Sequence, residues 1–99
     1  MFVAMSKFVV ANNMSDQVRE AFRNRPGLVD SAEGFIRMEV LNPDDNPDEF
    51  WLVTYWQKSE DWHEWYHGHQ YKASHSNIPK GLKLDPEATM IRTFNCIAS

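Results

Sequence analysis

The residues most able to do chemistry are crowded into one short stretch. All four tryptophans fall between Trp51 and Trp65, and all four histidines between His63 and His75. His63-Glu64-Trp65-Tyr66-His67 reads as H-E-x-x-H. On a helix that spacing sets two imidazoles one turn apart, where they can share a zinc ion with Glu64 as general base. A hydrolytic zinc also needs a third protein ligand and a substrate cleft, and the pattern supplies neither. The simpler expectation is that both histidines ride the wetter side of a helix, beside a Trp62–Tyr66 stripe. A second pair is Trp65 and His75, ten residues apart. Taken alone, a Trp on an apolar stripe belongs to a core and a His after a helix belongs to solvent. Together, downstream of a Val-Thr-Tyr-Trp strand, they make a more specific signal.

The elements that must position these side chains follow from periodicity. Phe2 to Val10 is rich in Val and Phe without Gly or Pro, and reads as a strand. Ala11 to Ser15 is a turn, with Ser15 as N-cap of a helix carrying Val18, Ala21 and Phe22 inward. Pro26-Gly27 ends that helix. Gly34 to Leu41 alternates as a strand, with Ile36, Met38 and Val40 on one side and Arg37 and Glu39 on the other. Asn42 to Asp48 is a solvated hairpin loop, and its charges do not read as a metal site. Phe50 to Trp56 is a second strong strand. Ser59 opens another helix, with Trp62, Trp65 and Tyr66 at i, i+3 and i+4, which Gly68 weakens or ends. His69 to His75 suggests a further helical turn, Ser76 to Pro86 a loop, and Glu87 to Ile97 a last strand. The order βαββαβ predicts an α+β, ferredoxin-like fold: a four-stranded antiparallel sheet with both helices on one face.

Strand parity adds an inference about assembly. Phe2, Ala4, Phe8 and Val10 alternate with Val3, Met5 and Val9, and Phe50, Leu52 and Trp56 alternate with Trp51, Val53 and Tyr55. Both faces of these strands are apolar, whereas a sheet covered on one side only shows polar residues on the other. A second copy of the chain is the expected cover, giving a homodimer with a barrel-like core.

Composition bounds the rest. The 99 residues suit one domain spanning 1–99. The 13% aromatic content excludes a disordered tail. Ten basic against 14 acidic residues leave a net charge of −4 with no basic run, which argues against nucleic-acid and membrane-surface partners. The lone Cys96 permits no intrachain disulfide and fits a reducing compartment. The apolar start holds Lys7 and is too short for a secretory core or a membrane span. The expectation is a soluble, cytoplasmic protein.

Across nearly its whole length the chain resembles the antibiotic-biosynthesis-monooxygenase superfamily, and within it the IsdG-type haem-degrading monooxygenases. Arg23-Asn24-Arg25-Pro26-Gly27-Leu28-Val29, Glu33-Gly34-Phe35, Glu39-Val40-Leu41-Asn42-Pro43 and Leu52-Val53-Thr54-Tyr55-Trp56 follow the family's phrases in order. Trp65 to His75 matches the family's W-x9-H. The resemblance implies a homodimer of ferredoxin-like subunits forming a dimeric α/β-barrel. It implies haem as both substrate and cofactor, with His75 as proximal ligand to the iron and Trp65 pressed against the macrocycle to distort it. It further implies that the iron activates dioxygen, that the ring is opened at a meso carbon and that iron is released. Phe22, Phe35 and Trp56 are candidates to line the haem pocket. Electrons must come from a separate reductant, since no nucleotide-binding glycine motif is present. The family's catalytic set is Asn, Trp and His, and here Ser6 stands where the first-strand Asn is expected. Its hydroxyl is shorter and lacks the amide, which implies that haem binding can persist while turnover is altered. Two other readings follow from the same superfamily: a cofactor-independent monooxygenase of an aromatic polyketide or quinol, and a non-catalytic haem-binding dimer.

Overall fold

The computed structural model describes residues 1–25, 27–68, 71 and 78–99. Its elements are β1 (Phe2–Val9), α1 (Ser15–Arg23), a short 3-10 turn (Leu28–Ser31), β2 (Phe35–Leu41), β3 (Glu49–Trp56), α2 (Ser59–Tyr66) and β4 (Met90–Asn95). The sheet order is β2-β3-β1-β4, with every neighbouring pair antiparallel. This is the ferredoxin-like arrangement that the strand and helix order predicts. The 3-10 turn is an addition to that reading, and the last strand is shorter than expected. The helical turn expected over 69–75 lies, Tyr71 apart, outside the described residues.

Register carries the parity argument into three dimensions. Phe2 pairs with Trp56, Ala4 with Thr54, Ser6 with Leu52 and Phe8 with Phe50. These side chains face the helices and divide into two clusters. One joins Phe2, Val29 and Trp56, with Phe35, Met38, Trp62 and Trp65 packed against it. The other joins Val10, Val18 and Phe50, with Phe8, Phe22 and Val40 against it.

Two local expectations change. A bulge between Phe35 and Arg37 resets the alternation of β2, so that Phe35 pairs with Trp56 and Ile36 is left 43% exposed. One extra residue in a strand turns the side chains before it onto the opposite face. Ser15 is the first residue of α1 rather than its cap. Its hydroxyl donates to Asp48 Oδ1 at 2.6 Å, tying the helix start to the loop before β3. A cap would use the hydroxyl oxygen as acceptor from a backbone N–H, whereas here the hydroxyl donates to a carboxylate, a charge-assisted bond. Ser59 opens α2 as the sequence predicts, its hydroxyl donating to Glu60 Oε1 at 2.8 Å.

The opposite face carries Val3, Met5, Lys7, Trp51, Val53, Tyr55 and Phe94 in register. Long cationic side chains lie over its rings: Arg37 over Tyr55 at 4.0 Å, Lys7 over Trp51 at 5.5 Å and Arg92 over Phe94 at 5.5 Å. Their apolar stems cover carbon while their charges stay wet. Val53, between Met5 and Glu39 in the register, is 4% exposed, although Leu41, Met90 and Phe94 remain exposed. Among the described residues no helix is long and apolar enough to cross a membrane.

Candidate functional site

A cleft of about 410 Å³ opens between the helix-facing side of the sheet and the two helices. Its origin lies in side-chain size along β1 and β3. At both ends of the paired strands the inward positions are aromatic, Phe2 with Trp56 and Phe8 with Phe50. Between them stand Ala4 and Ser6, opposite Thr54 and Leu52, and these are too small to reach the helices. The space left is within the range that takes a small molecule or cofactor.

Val18, Ala21, Phe22 and Arg25 close one side from α1 and its C-terminal end. Phe22 is held in place by contacts with Phe8 and Phe50, with ring centres 6.3 Å from each. Trp62, Trp65 and Tyr66 close the other side from α2, together with Tyr71. Gly34 makes the seating of α2 possible. It adopts φ +77°, and a Cβ there would lie 2.0 Å from Asp61 Oδ2 in the first turn of α2. Only glycine permits both the left-handed backbone and that approach.

The walls are mostly apolar, with few polar groups converging on the space. The Thr54 hydroxyl is engaged twice, donating to the Ala4 carbonyl and accepting from Trp56 Nε1 at 2.9 Å. Ser6 lies on the cleft floor and makes no side-chain hydrogen bond among the described residues. Arg25 holds Asp30 through one guanidinium nitrogen, 3.0 Å from Oδ1, which leaves further N–H groups of its fork for a ligand. Lys7 also borders the cleft, but its ammonium lies over Trp51 on the opposite face of the sheet. Tyr71 stacks on Tyr66 with ring centres 4.8 Å apart and meets Trp65 edge-on at 6.1 Å. Burial, then the charge and hydrogen bond of Tyr66, raises the Tyr71 phenol above its ordinary value near 10, so it stays a neutral donor.

Of the residues picked from sequence, Ser6, Phe22 and Trp65 meet in this cleft. Phe35 and Trp56 are not among its walls. Trp56 is fully buried beneath them, with Phe35 edge-on to it at 5.4 Å, because β3 presents Trp56 to Phe2 and Val29 at the closed end of the sheet. His75 lies outside the described residues. His63 and His67 are exposed on the outer side of α2, and neither is a wall of the cleft. No group of three or more His, Cys, Asp or Glu among the described residues is placed to hold a metal. The exposure of His63 and His67 fits the expectation of two histidines on the helix's wet side.

Arg25, Tyr66 and Tyr71 are cleft residues that the sequence reading did not single out. Arg25 follows the end of α1 at Arg23 by two residues, and a cation just past a helix end was the available signal. The small pair Ala4 and Ser6 between Phe2 and Phe8 was a second, since it marks where the sheet leaves room.

Comparison with known proteins places this cleft in context. The chain is 27% identical over 82 residues to a staphylobilin-producing haem oxygenase of Staphylococcus epidermidis, covering 81% of this chain and 78% of that protein. In structure it is similar to the haem-degrader MhuD of Mycobacterium tuberculosis, solved with two haems in its active site. The TM-score is 0.80 with 18% identity, over 100% of this chain and 98% of the other. It is also similar to SnoaB, a cofactor-independent oxygenase of Streptomyces nogalater, with TM-score 0.77, 11% identity and coverage of 99% and 94%. At such identities the structural likenesses establish a common fold, which hosts both haem-dependent and cofactor-free oxygenases. Residues 1–77 match the antibiotic biosynthesis monooxygenase family, and the chain belongs to that family.

Proposed function

We propose that this monooxygenase-family protein degrades haem, acting as a cytoplasmic homodimer supplied with electrons by a separate reductant. The observation that carries the reading is the cleft itself: an apolar slot with Trp65 on its wall and Ser6 on its floor, in a chain whose Trp65 and His75 keep a W-x9-H spacing. The residues present suit a porphyrin. Aromatic and aliphatic walls match the faces of the macrocycle, and the guanidinium of Arg25 suits its carboxylate edge. His75 would supply the neutral imidazole on the iron. When bound, haem contributes oxygen activation at iron and is itself the molecule oxidised.

The protein's own contribution is then positional. The flat indole of Trp65, on the cleft wall, would lie against one face of a bound macrocycle and bias it from planarity. The apolar walls exclude water from the reacting carbon. Ser6 offers one hydrogen bond where the family's Asn offers an amide, so Ser6 sets how well a distal ligand is oriented. The exposed Leu41, Met90 and Phe94 on the open sheet face support a second copy as its cover.

Hemin titration tests the reading. Wild type should shift the Soret band and saturate near one haem per chain, and His75→Ala should weaken binding by at least tenfold. An absent shift, or one unchanged in His75→Ala, would sink the proposal. Ascorbate should then bleach the band, and Ser6→Asn should speed the bleaching. Haem that survives reductant in both proteins would favour a non-catalytic haem-binding dimer, and quinol oxidation without haem would favour the cofactor-independent reading.

A further inference from the structure

α2 has two faces, and only one is used by the cleft. Trp62, Trp65 and Tyr66 turn inward. Glu60, His63, Glu64 and His67 stand at i, i+3, i+4 and i+7, so they share the opposite face, and all four are exposed. The imidazoles of His63 and His67 are neighbours one turn apart, stacked with ring centres 6.3 Å apart and planes within 5°. Neither has a hydrogen-bond partner among the described residues, so their ring nitrogens are available to a ligand.

We propose that His63 and His67 form a two-imidazole site for a divalent ion of the zinc, nickel and copper class on the outer face of α2. Metal–nitrogen bonds of about 2.0–2.1 Å bring two ring centres on one tetrahedral ion to about 5 Å. The shared ion must lie in both ring planes, so side-chain rotation at the two exposed histidines must turn the stacked rings toward a common point and close the gap by about 1 Å. Imidazole suits these borderline ions and not magnesium or calcium, which seek oxygen donors. The carboxylates of Glu60 and Glu64 on the same face add negative charge that favours a cation. Among the described residues the site offers these two ligands, and water fills the remaining coordination positions.

The site exists only when residues 63 to 67 are helical, so the ion acts as a clip on the helix. That matters for a helix of eight residues with none fully buried, which is too short to be stable by itself. An ion that binds the folded chain and not the unfolded one raises stability with its concentration.

Untagged protein titrated with Zn2+, Ni2+ and Cu2+ in a calorimeter should take up one ion per chain at this site, with copper bound most tightly and Mg2+ not at all. The melting temperature should rise with Zn2+ concentration. His63→Ala and His67→Ala should each weaken binding at least tenfold and cancel the Zn2+-dependent rise, while melting near the wild-type temperature without metal. Glu64→Gln should keep most of the affinity. Absence of saturable binding, or binding that survives both histidine substitutions unchanged, would overturn the proposal and assign any bound ion to other residues.

Discussion

The helix-covered face of the sheet is shut by aromatic side chains at both ends, where Phe2 meets Trp56 and Phe8 stacks on Phe50 with ring centres 5.2 Å apart, whereas Ala4, Ser6 and Thr54 leave its middle open. The two regions share the same strands, register and helices. They differ only in side-chain volume. A close-packed interior loses contacts wherever neighbouring atoms cannot reach each other, so an unfilled middle is a cost the closed ends must carry. The cleft is therefore a property of stability distribution as much as of function. The ends hold the fold, and the middle is free to hold something else.

Breaking one end should have the largest effect. Trp56 has no exposed surface, bonds Thr54 through its indole N–H and packs on Phe2, Val29 and Phe35. Trp56→Ala should destabilise by about 3–5 kcal/mol in urea unfolding, as large aromatic truncations in cores do. A loss under about 1 kcal/mol would mean that the end is not the structural anchor described here. Filling the middle should have the opposite profile. Ser6→Leu places an aliphatic side chain on the cleft floor, and stability should change by no more than about 1 kcal/mol. Hemin binding, if the cleft holds it, should fall at least tenfold in the same variant. Unimpaired binding with a filled floor would place the ligand elsewhere.

The smallest effect concerns the rim, where Tyr71 lies against Tyr66 and Trp65. Its phenol titrates above its ordinary value near 10 in the folded chain, because burial and Tyr66 disfavour the phenolate. The unfolded chain thus releases this proton at lower pH than the folded one. The stabilisation is fully present below pH 10 and is lost as pH rises through the raised folded value. Unfolding measured from pH 9 to 11 should show a steeper alkaline decline for wild type than for Tyr71→Phe. Equal slopes would mean that the phenol is not held neutral by its surroundings.

The legibility of the molecule divides along the same line between patterns and volumes. Strand parity in Phe2 to Val10 and Phe50 to Trp56 was readable because side chains alternate with period two, and the register preserves it. The helix carrying Trp62, Trp65 and Tyr66 was readable from its i, i+3, i+4 spacing. The bulge at Ile36 was not, since alternation continues in the letters while one residue drops out of the pairing. Ser15 was misread for a related reason. Its capping role is local, but Asp48, 33 residues away, is the partner it has in the fold. Phe35 and Trp56 were misplaced as cleft lining because an aromatic type says nothing about which end of a strand its partner will close.

The sequence alone determines the order of strands and helices, the faces each presents and the chemical types gathered between Trp51 and His75, since these depend on period and residue identity. Only the tertiary structure decides that Ser6, Phe22, Arg25 and Trp65 share one cavity while Trp56 lies sealed beneath it and His63 and His67 look outward. Those outcomes depend on which residues face each other across strands far apart in the chain, and on how much volume each pair leaves unfilled.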